Sequence, residues 1–182
     1  MFGLVAKWKS RPDQLTKLAR ELDRLAERDE KAVEEMDRAD MARRQGARTL
    51  HAICSDFTKH LNAAMTRAEM LLVPNVFDPA TYREDVPNLI QMSLRGRIVQ
   101  IQYEAPEQAL ATEDFRHPYV LQGAIHGFNQ TLLERDLVEE QLLFYAKSHH
   151  RLDFRWHYFE PRTYRTGLVN EAYLTQLLAR LA

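Results

Sequence analysis

The chain has 182 residues, of which 45% are hydrophobic and 28% charged; this is ordinary globular composition and argues against a largely disordered protein. The net charge is −1, and no basic tail or overall positive field marks a nucleic-acid binder. The single cysteine, Cys54, excludes an internal disulfide, and no run approaches the roughly 18 apolar residues of a membrane span. We therefore expect a cytoplasmic protein.

The N-terminal part has the spacing of an amphipathic helix. Ser10 precedes it as a candidate N-cap, and Leu15, Leu18, Leu22 and Leu25 follow at 3-4-3 spacing. In a strict heptad register the next positions are Asp29, Ala32 and Met36, so the apolar surface of the helix becomes narrow and interrupted. The pattern predicts a helical arm of coiled-coil type over residues 1–73.

A second apolar stripe begins after Gly46 and is better filled than the first. It consists of Leu50, Cys54, Phe57, Leu61, Ala64, Ala68 and Leu71. Gly46 could be a hinge or a helix end, although a single internal glycine costs only about 1 kcal/mol. The arm is therefore either one helix to about residue 72 or a hairpin of two helices broken near Gly46, and the first arrangement is slightly favoured.

The spacing of apolar residues changes near Pro74, from helical spacing to alternation of apolar and polar residues. Residues 74–88 hold three prolines and predict an irregular connector between the arm and a body of residues 89–182. Residues 89–94 and 98–103 predict two strands around a tight turn at Gly96, with a single long strand as the alternative. Residues 106–116 are a candidate short helix.

The remainder of the body predicts further strands and a final helix. Residues 119–128 suggest a strand whose two glycines indicate a bulge or close packing. Residues 137–147 are ambiguous between helix and strand, and strand is favoured for their C-terminal part. Residues 152–158 alternate apolar and polar side chains and predict the clearest strand, after a turn at 148–150. Asn170 is a candidate cap for a C-terminal helix. The fold class is thus α+β, with an antiparallel sheet of about four or five strands.

The leucine stripe is the first candidate functional feature. Leu15, Leu18, Leu22 and Leu25 are predicted to contact a second copy or another protein, because a long helix has more surface than one small sheet covers. The alternative is that this stripe packs on the protein's own body.

One face of the strand at 152–158 is the second candidate. Asp153, Arg155 and His157 share it and could bind a small ligand or provide an acid/base site for hydrolysis. A solvated sheet face with cross-strand ion pairs explains the same alternation more simply.

Lys147–Arg165 interleaves cations with aromatic residues, as nucleic-acid binders do, but the alternation places Trp156 and Arg155 on opposite faces and disfavours that function. Asp56 and His60 lie one helical turn apart without a third ligand, so we predict no metal site and no cofactor. The leading hypothesis is a non-enzymatic interaction or assembly protein, a homo-oligomer or the binder of a protein partner.

Overall fold

The computed structural model describes residues 11–106, 119–131, 134–147 and 153–181. The chain divides into a first unit that ends at Asp40 and a second unit that begins at Met41. The helix predicted for 106–116 (apart from Pro106) and the turn predicted for 148–150 lie outside the described residues.

Helix α1 extends over Arg11–Ala64. It continues through Gly46, so the hairpin alternative is wrong and the single helix is confirmed. Gly46 is required for close packing. A Cβ atom at this position would lie 2.6 Å from Cδ1 of Tyr145 and 2.7 Å from Cδ1 of Leu121. In addition, the indole Nε1 of Trp156 donates a hydrogen bond to the Gly46 carbonyl oxygen at 2.8 Å.

The helix was expected to reach about residue 72, but it ends at Ala64. The side chain of Asn62 fixes the reversal that follows. Its Nδ2 donates to the Met70 carbonyl oxygen at 3.0 Å, and its Oδ1 accepts from the Met70 amide at 2.8 Å. Leu71, expected on the helical stripe, instead begins the first strand.

The second unit contains a seven-stranded antiparallel sheet in which each strand pairs with its neighbours in the chain. The strands are β1 Leu71–Val73, β2 Asn88–Leu94, β3 Arg97–Glu104, β4 Tyr119–Thr131, β5 Glu134–Lys147, β6 Phe154–Glu160 and β7 Arg165–Leu168. The α+β class is confirmed. The number of strands was wrong, because β1 and β7 contain only three and four residues and carry no alternation to detect.

The two predicted strands of 89–94 and 98–103 are β2 and β3. Arg95 and Gly96 connect them with φ values of 45° and 83°. Two successive residues with positive φ match the twist of a tight hairpin, and this confirms the turn predicted at Gly96. β4 shows register shifts between Tyr119 and Leu121 and between Gly127 and Phe128, so the predicted irregularity is also present. Residues 137–147 are strand, within β5.

One face of the sheet, here called the inner face, holds the hydrophobic core. Ile90, Ile101, Ile125, Leu143 and Trp156 are buried on it with helical residues. The helical partners are Ala47, Leu50, Cys54 and Phe57 of α1 and Tyr173, Leu174, Leu177 and Leu181 of α2.

Helix α2 spans Glu171–Leu181, and the predicted cap is confirmed because Asn170 Oδ1 accepts from the Tyr173 amide at 2.9 Å. Among the described residues, no helix combines the length and apolar character needed to cross a bilayer.

Candidate functional site

The predicted leucine stripe lies in the first unit, and most of it is exposed. Leu15 is 67% exposed, and Leu18 and Leu22 are each 55% exposed, whereas Leu25 is half-buried. Large apolar side chains are usually buried on folding, and a continuous exposed set of them marks an interaction surface more often than chance.

The exposed set is longer than heptad spacing predicts. Val33 and Met36 are 57% and 67% exposed. At 100° per residue they fall on the same side of α1 as Leu15 and Leu18, within an arc of about 140°. We call this surface the apolar stripe; its ten residues are Leu15, Leu18, Ala19, Leu22, Leu25, Ala26, Asp29, Ala32, Val33 and Met36.

Charge is distributed very unevenly around this part of the helix. Asp29 is the single charged residue of the apolar stripe. Of the other twelve positions between Leu15 and Met36, eleven are charged and the twelfth is Thr16. Strict heptad counting missed Val33 and undervalued Met36, because an α-helix repeats every 3.6 residues and its stripe drifts away from a 3.5-residue register.

The predicted trio of Asp153, Arg155 and His157 lies at strand β6. Arg155 and His157 belong to the face opposite the core, here called the outer face, where they stand across from Ala146 and Phe144. Asp153 lies just before the strand and accepts hydrogen bonds on Oδ2 from Arg155 Nε and Nη2, at 3.1 and 3.0 Å. The structure thus joins Asp153 and Arg155 in an exposed ion pair and places His157 on the same strand face as Arg155.

A concavity of about 430 Å³ lies on the outer face, among residues of β3, β4 and β5. Its apolar part includes Tyr119 and Phe144, whose ring centroids are 4.9 Å apart. Burial raises the pKa of Tyr119. Polar groups of Gln122 and Glu104 join the lining. Asp153, Arg155 and His157 do not line this concavity.

On β6, Phe154, Trp156 and Tyr158 lie on the inner face, opposite Arg155, whereas Phe159 is buried on the outer face with Phe144. Trp156 is buried in the core, and Phe154 and Tyr158 pack against it in part. Lys147, Arg162 and Arg165 are exposed. This separation is what the alternation predicted for β6. Arg151 lies outside the described residues, and nucleic-acid binding by this stretch stays an untested prediction.

His60, a candidate metal ligand, has a structural contact, as do the nearby His51 and the buried Cys54. His60 Nδ1 lies 3.1 Å from Glu171 Oε2, which ties α1 to α2, and His51 Nε2 lies 2.8 Å from the Pro74 carbonyl oxygen. Burial raises the pKa of the Cys54 thiol to about 12, as expected of a core residue. Within the described parts of the chain, His, Cys, Asp and Glu side chains do not gather in groups of three that could hold a metal ion.

Comparisons of the chain with protein-family models, with curated proteins and with solved structures give no significant match.

Proposed function

We propose that the protein is a non-enzymatic assembly protein that forms a homodimer through the apolar stripe of α1. The observation that carries the proposal is the exposure of Leu15, Leu18 and Leu22 on a helix side that holds one charge among ten residues. As part of the same proposal we place the protein in the cytoplasm, since its one cysteine is buried and the fold needs no oxidation.

The occupant of the apolar stripe is a second copy, and the flanking charges favour this choice. Glu21 and Arg28 lie along the same edge of the stripe, two turns apart. Two helices that pair antiparallel about Leu22 and Leu25 place Glu21 of one copy opposite Arg28 of the other. The arrangement is self-complementary, as a twofold interface requires, and the small residues Ala19, Ala26 and Ala32 permit close approach.

Burial of the exposed leucines would supply part of the free energy of association. Burying a fully exposed leucine contributes about 1.5–3 kcal/mol, so a leucine that is 55% exposed contributes about half of that amount. Leu18 and Leu22 of two copies together would then contribute about 3–6 kcal/mol. This is a substantial part of the roughly 8 kcal/mol that corresponds to micromolar affinity.

The test is to replace Leu18 and Leu22 with glutamate and to measure the molar mass by size-exclusion chromatography with light scattering. The Leu18→Glu/Leu22→Glu variant should be monomeric, because association weakens on the order of 10³-fold or more. The matched control is Lys17→Gln/Lys31→Gln, which changes the net charge by the same amount on the charged side and should stay dimeric. If both variants keep the wild-type mass, the apolar stripe is not the interface.

The antiparallel arrangement has its own test. Glu21→Arg should weaken the dimer on the order of tenfold, because each of two symmetric pairs becomes a contact of like charges. Adding Arg28→Glu should restore the affinity, since the reversed charges again oppose each other across the interface. If Arg28→Glu fails to rescue Glu21→Arg, the two residues do not face each other.

A further inference from the structure

The apolar stripe contains one charged residue, and that residue lies at its centre. At 100° per residue the stripe spans an arc of about 140° on α1, and Asp29 lies within about 10° of the midline of this arc. Its side chain is 75% exposed. The carboxylate lies 4.0 Å from Nε of Arg28, whose side chain is 76% exposed, so solvent screens this contact. A helix that packs on the apolar stripe must therefore remove water from the Asp29 carboxylate.

In the antiparallel homodimer, Asp29 faces a leucine of the other copy. The two helices pair about Leu22 and Leu25. Leu18 lies four residues before the first of these, and Asp29 lies four residues after the second. Asp29 of each copy therefore enters the layer that holds Leu18 of the other copy. The two carboxylates are then about 16 Å apart along the helices, at about 1.5 Å per residue. This exceeds the Debye length of about 8 Å at physiological ionic strength, so their repulsion is largely screened.

A parallel pair would bring the two carboxylates together. When two helices run in the same direction and in register, each central residue of the stripe meets its own copy, so both Asp29 side chains enter one layer. Helix axes pack about 8–10 Å apart, and the two carboxylates would meet between leucine layers that leave little water to screen them. Like charges in such a place strongly disfavour each other. The leucine layers themselves would pack in this direction, so Asp29 is the residue that opposes it.

We propose that Asp29 determines the orientation of the homodimer, because it disfavours the parallel pair at a cost in affinity. This inference rests on the proposed pairing of the apolar stripe. A single polar residue at a central position between two helices selects one arrangement and lowers the stability of the pair. Here the selected arrangement is antiparallel, and the cost is the dehydration of two carboxylates.

The cost in affinity is measured with Asp29→Leu. Sedimentation equilibrium should give this variant a dissociation constant roughly tenfold or more below that of the wild type, because no carboxylate is dehydrated and two leucines join the interface. The matched control is Glu27→Leu, the same change of charge and nearly the same change of side chain at a position about 150° from the midline, which should stay within about twofold of the wild type. If Asp29→Leu dimerises no more tightly than Glu27→Leu, the proposal is overturned.

The orientation is measured by disulfide cross-linking. Leu15 and Ala32 lie seven residues outside the two central leucines, so the antiparallel pair brings one opposite the other. The parallel pair instead brings Ala32 opposite its own copy. A disulfide needs Cα atoms within about 7 Å, whereas the two copies of Ala32 are about 25 Å apart in the antiparallel pair. The native Cys54 is buried and does not compete. Under mild oxidation, Ala32→Cys mixed with Leu15→Cys should cross-link roughly fivefold or more faster than Ala32→Cys alone.

Adding Asp29→Leu should relax this preference. Ala32→Cys alone should then cross-link roughly fivefold or more faster than it does with the native Asp29, because parallel pairs are no longer opposed. If Asp29→Leu leaves the cross-linking of Ala32→Cys unchanged in a chain that dimerises, the role of Asp29 is refuted and the homodimer stands. If the wild-type chain stays monomeric, the homodimer is refuted together with this inference, so the two failures give different results.

Discussion

Replacing Gly46 with alanine tests how the second unit is assembled. In an exposed helix this change stabilises by about 1 kcal/mol, because glycine is a poor helix former. Here the new Cβ would lie 2.6 and 2.8 Å from two ring carbons of Tyr145 and 2.7 Å from a methyl carbon of Leu121. Carbon atoms prefer separations of about 3.5–4.0 Å, so the backbone or the two side chains must move by about 1 Å.

The neighbouring residues cannot move freely. Tyr145 is 3% exposed and Leu121 is fully buried, so both are enclosed by other core residues. Displacing α1 instead would stretch the 2.8 Å hydrogen bond from Trp156 to the Gly46 carbonyl oxygen, a bond that contributes about 1 kcal/mol. Overpacking a core costs about 1–3 kcal/mol. We therefore expect Gly46→Ala to lower the free energy of unfolding by about 1–3 kcal/mol in spite of its helix propensity.

Chemical denaturation followed by circular dichroism measures this difference. The control is Gln45→Ala, an adjacent exposed position on α1, where the change should stay within about 0.5 kcal/mol. Leu121→Val should cost less in the Gly46→Ala background than in the wild type, since the missing methylene makes room for the Cβ. If Gly46→Ala is as stable as the wild type or more stable, then α1 does not pack closely on β4 and β5 at this position.

Three further predictions concern the core and the end of α1. Trp156→Ala should destabilise by about 3–5 kcal/mol, and Arg155→Ala, on the outer face, by less than about 1 kcal/mol; equal losses in chemical denaturation would contradict the assignment of strand faces. Asn62→Ala should cost about 1–3 kcal/mol, because both polar backbone groups of Met70 lose their partner; an unchanged denaturation midpoint would contradict this. Stability should fall from about pH 9 upward, as measured by denaturation at stepped pH. The reason is that burial raises the pKa of Cys54 to about 12, so the unfolded thiol releases its proton before the folded one does. Stability that is constant from pH 8 to pH 11 would contradict it.

Regular elements could be predicted from the sequence wherever one face of an element is apolar over several turns or residues. This holds for α1 through Gly46, for the alternation of β6 and for the cap at Asn170. In each case the signal lies within a few consecutive residues, and the structure places the apolar side against a core or leaves it as a continuous stripe.

The features that were missed depend on contacts between distant residues. The end of α1 is fixed by hydrogen bonds from Asn62 to Met70, and the apolar spacing continues past that point in the sequence. Strands β1 and β7 are too short to show alternation in the sequence. They are extended because they pair with β2 and β6 at the two edges of the sheet.

The candidate interface was predictable in part. The leucines at 15, 18, 22 and 25 were identified by spacing, but the continuation to Val33 and Met36 required the true helical period. Whether those residues are exposed could not be read from spacing alone, because a stripe that packs on its own body has the same sequence pattern as one that binds a second copy.

Sedimentation equilibrium of the wild-type protein shows whether the apolar stripe pairs two copies. From low to high micromolar concentration, we expect a monomer–dimer equilibrium that shifts fully to the dimer, with no larger species. A monomer that persists at high micromolar concentration would exclude the proposed homodimer, because the exposed leucines of α1 would then have no second copy to contact.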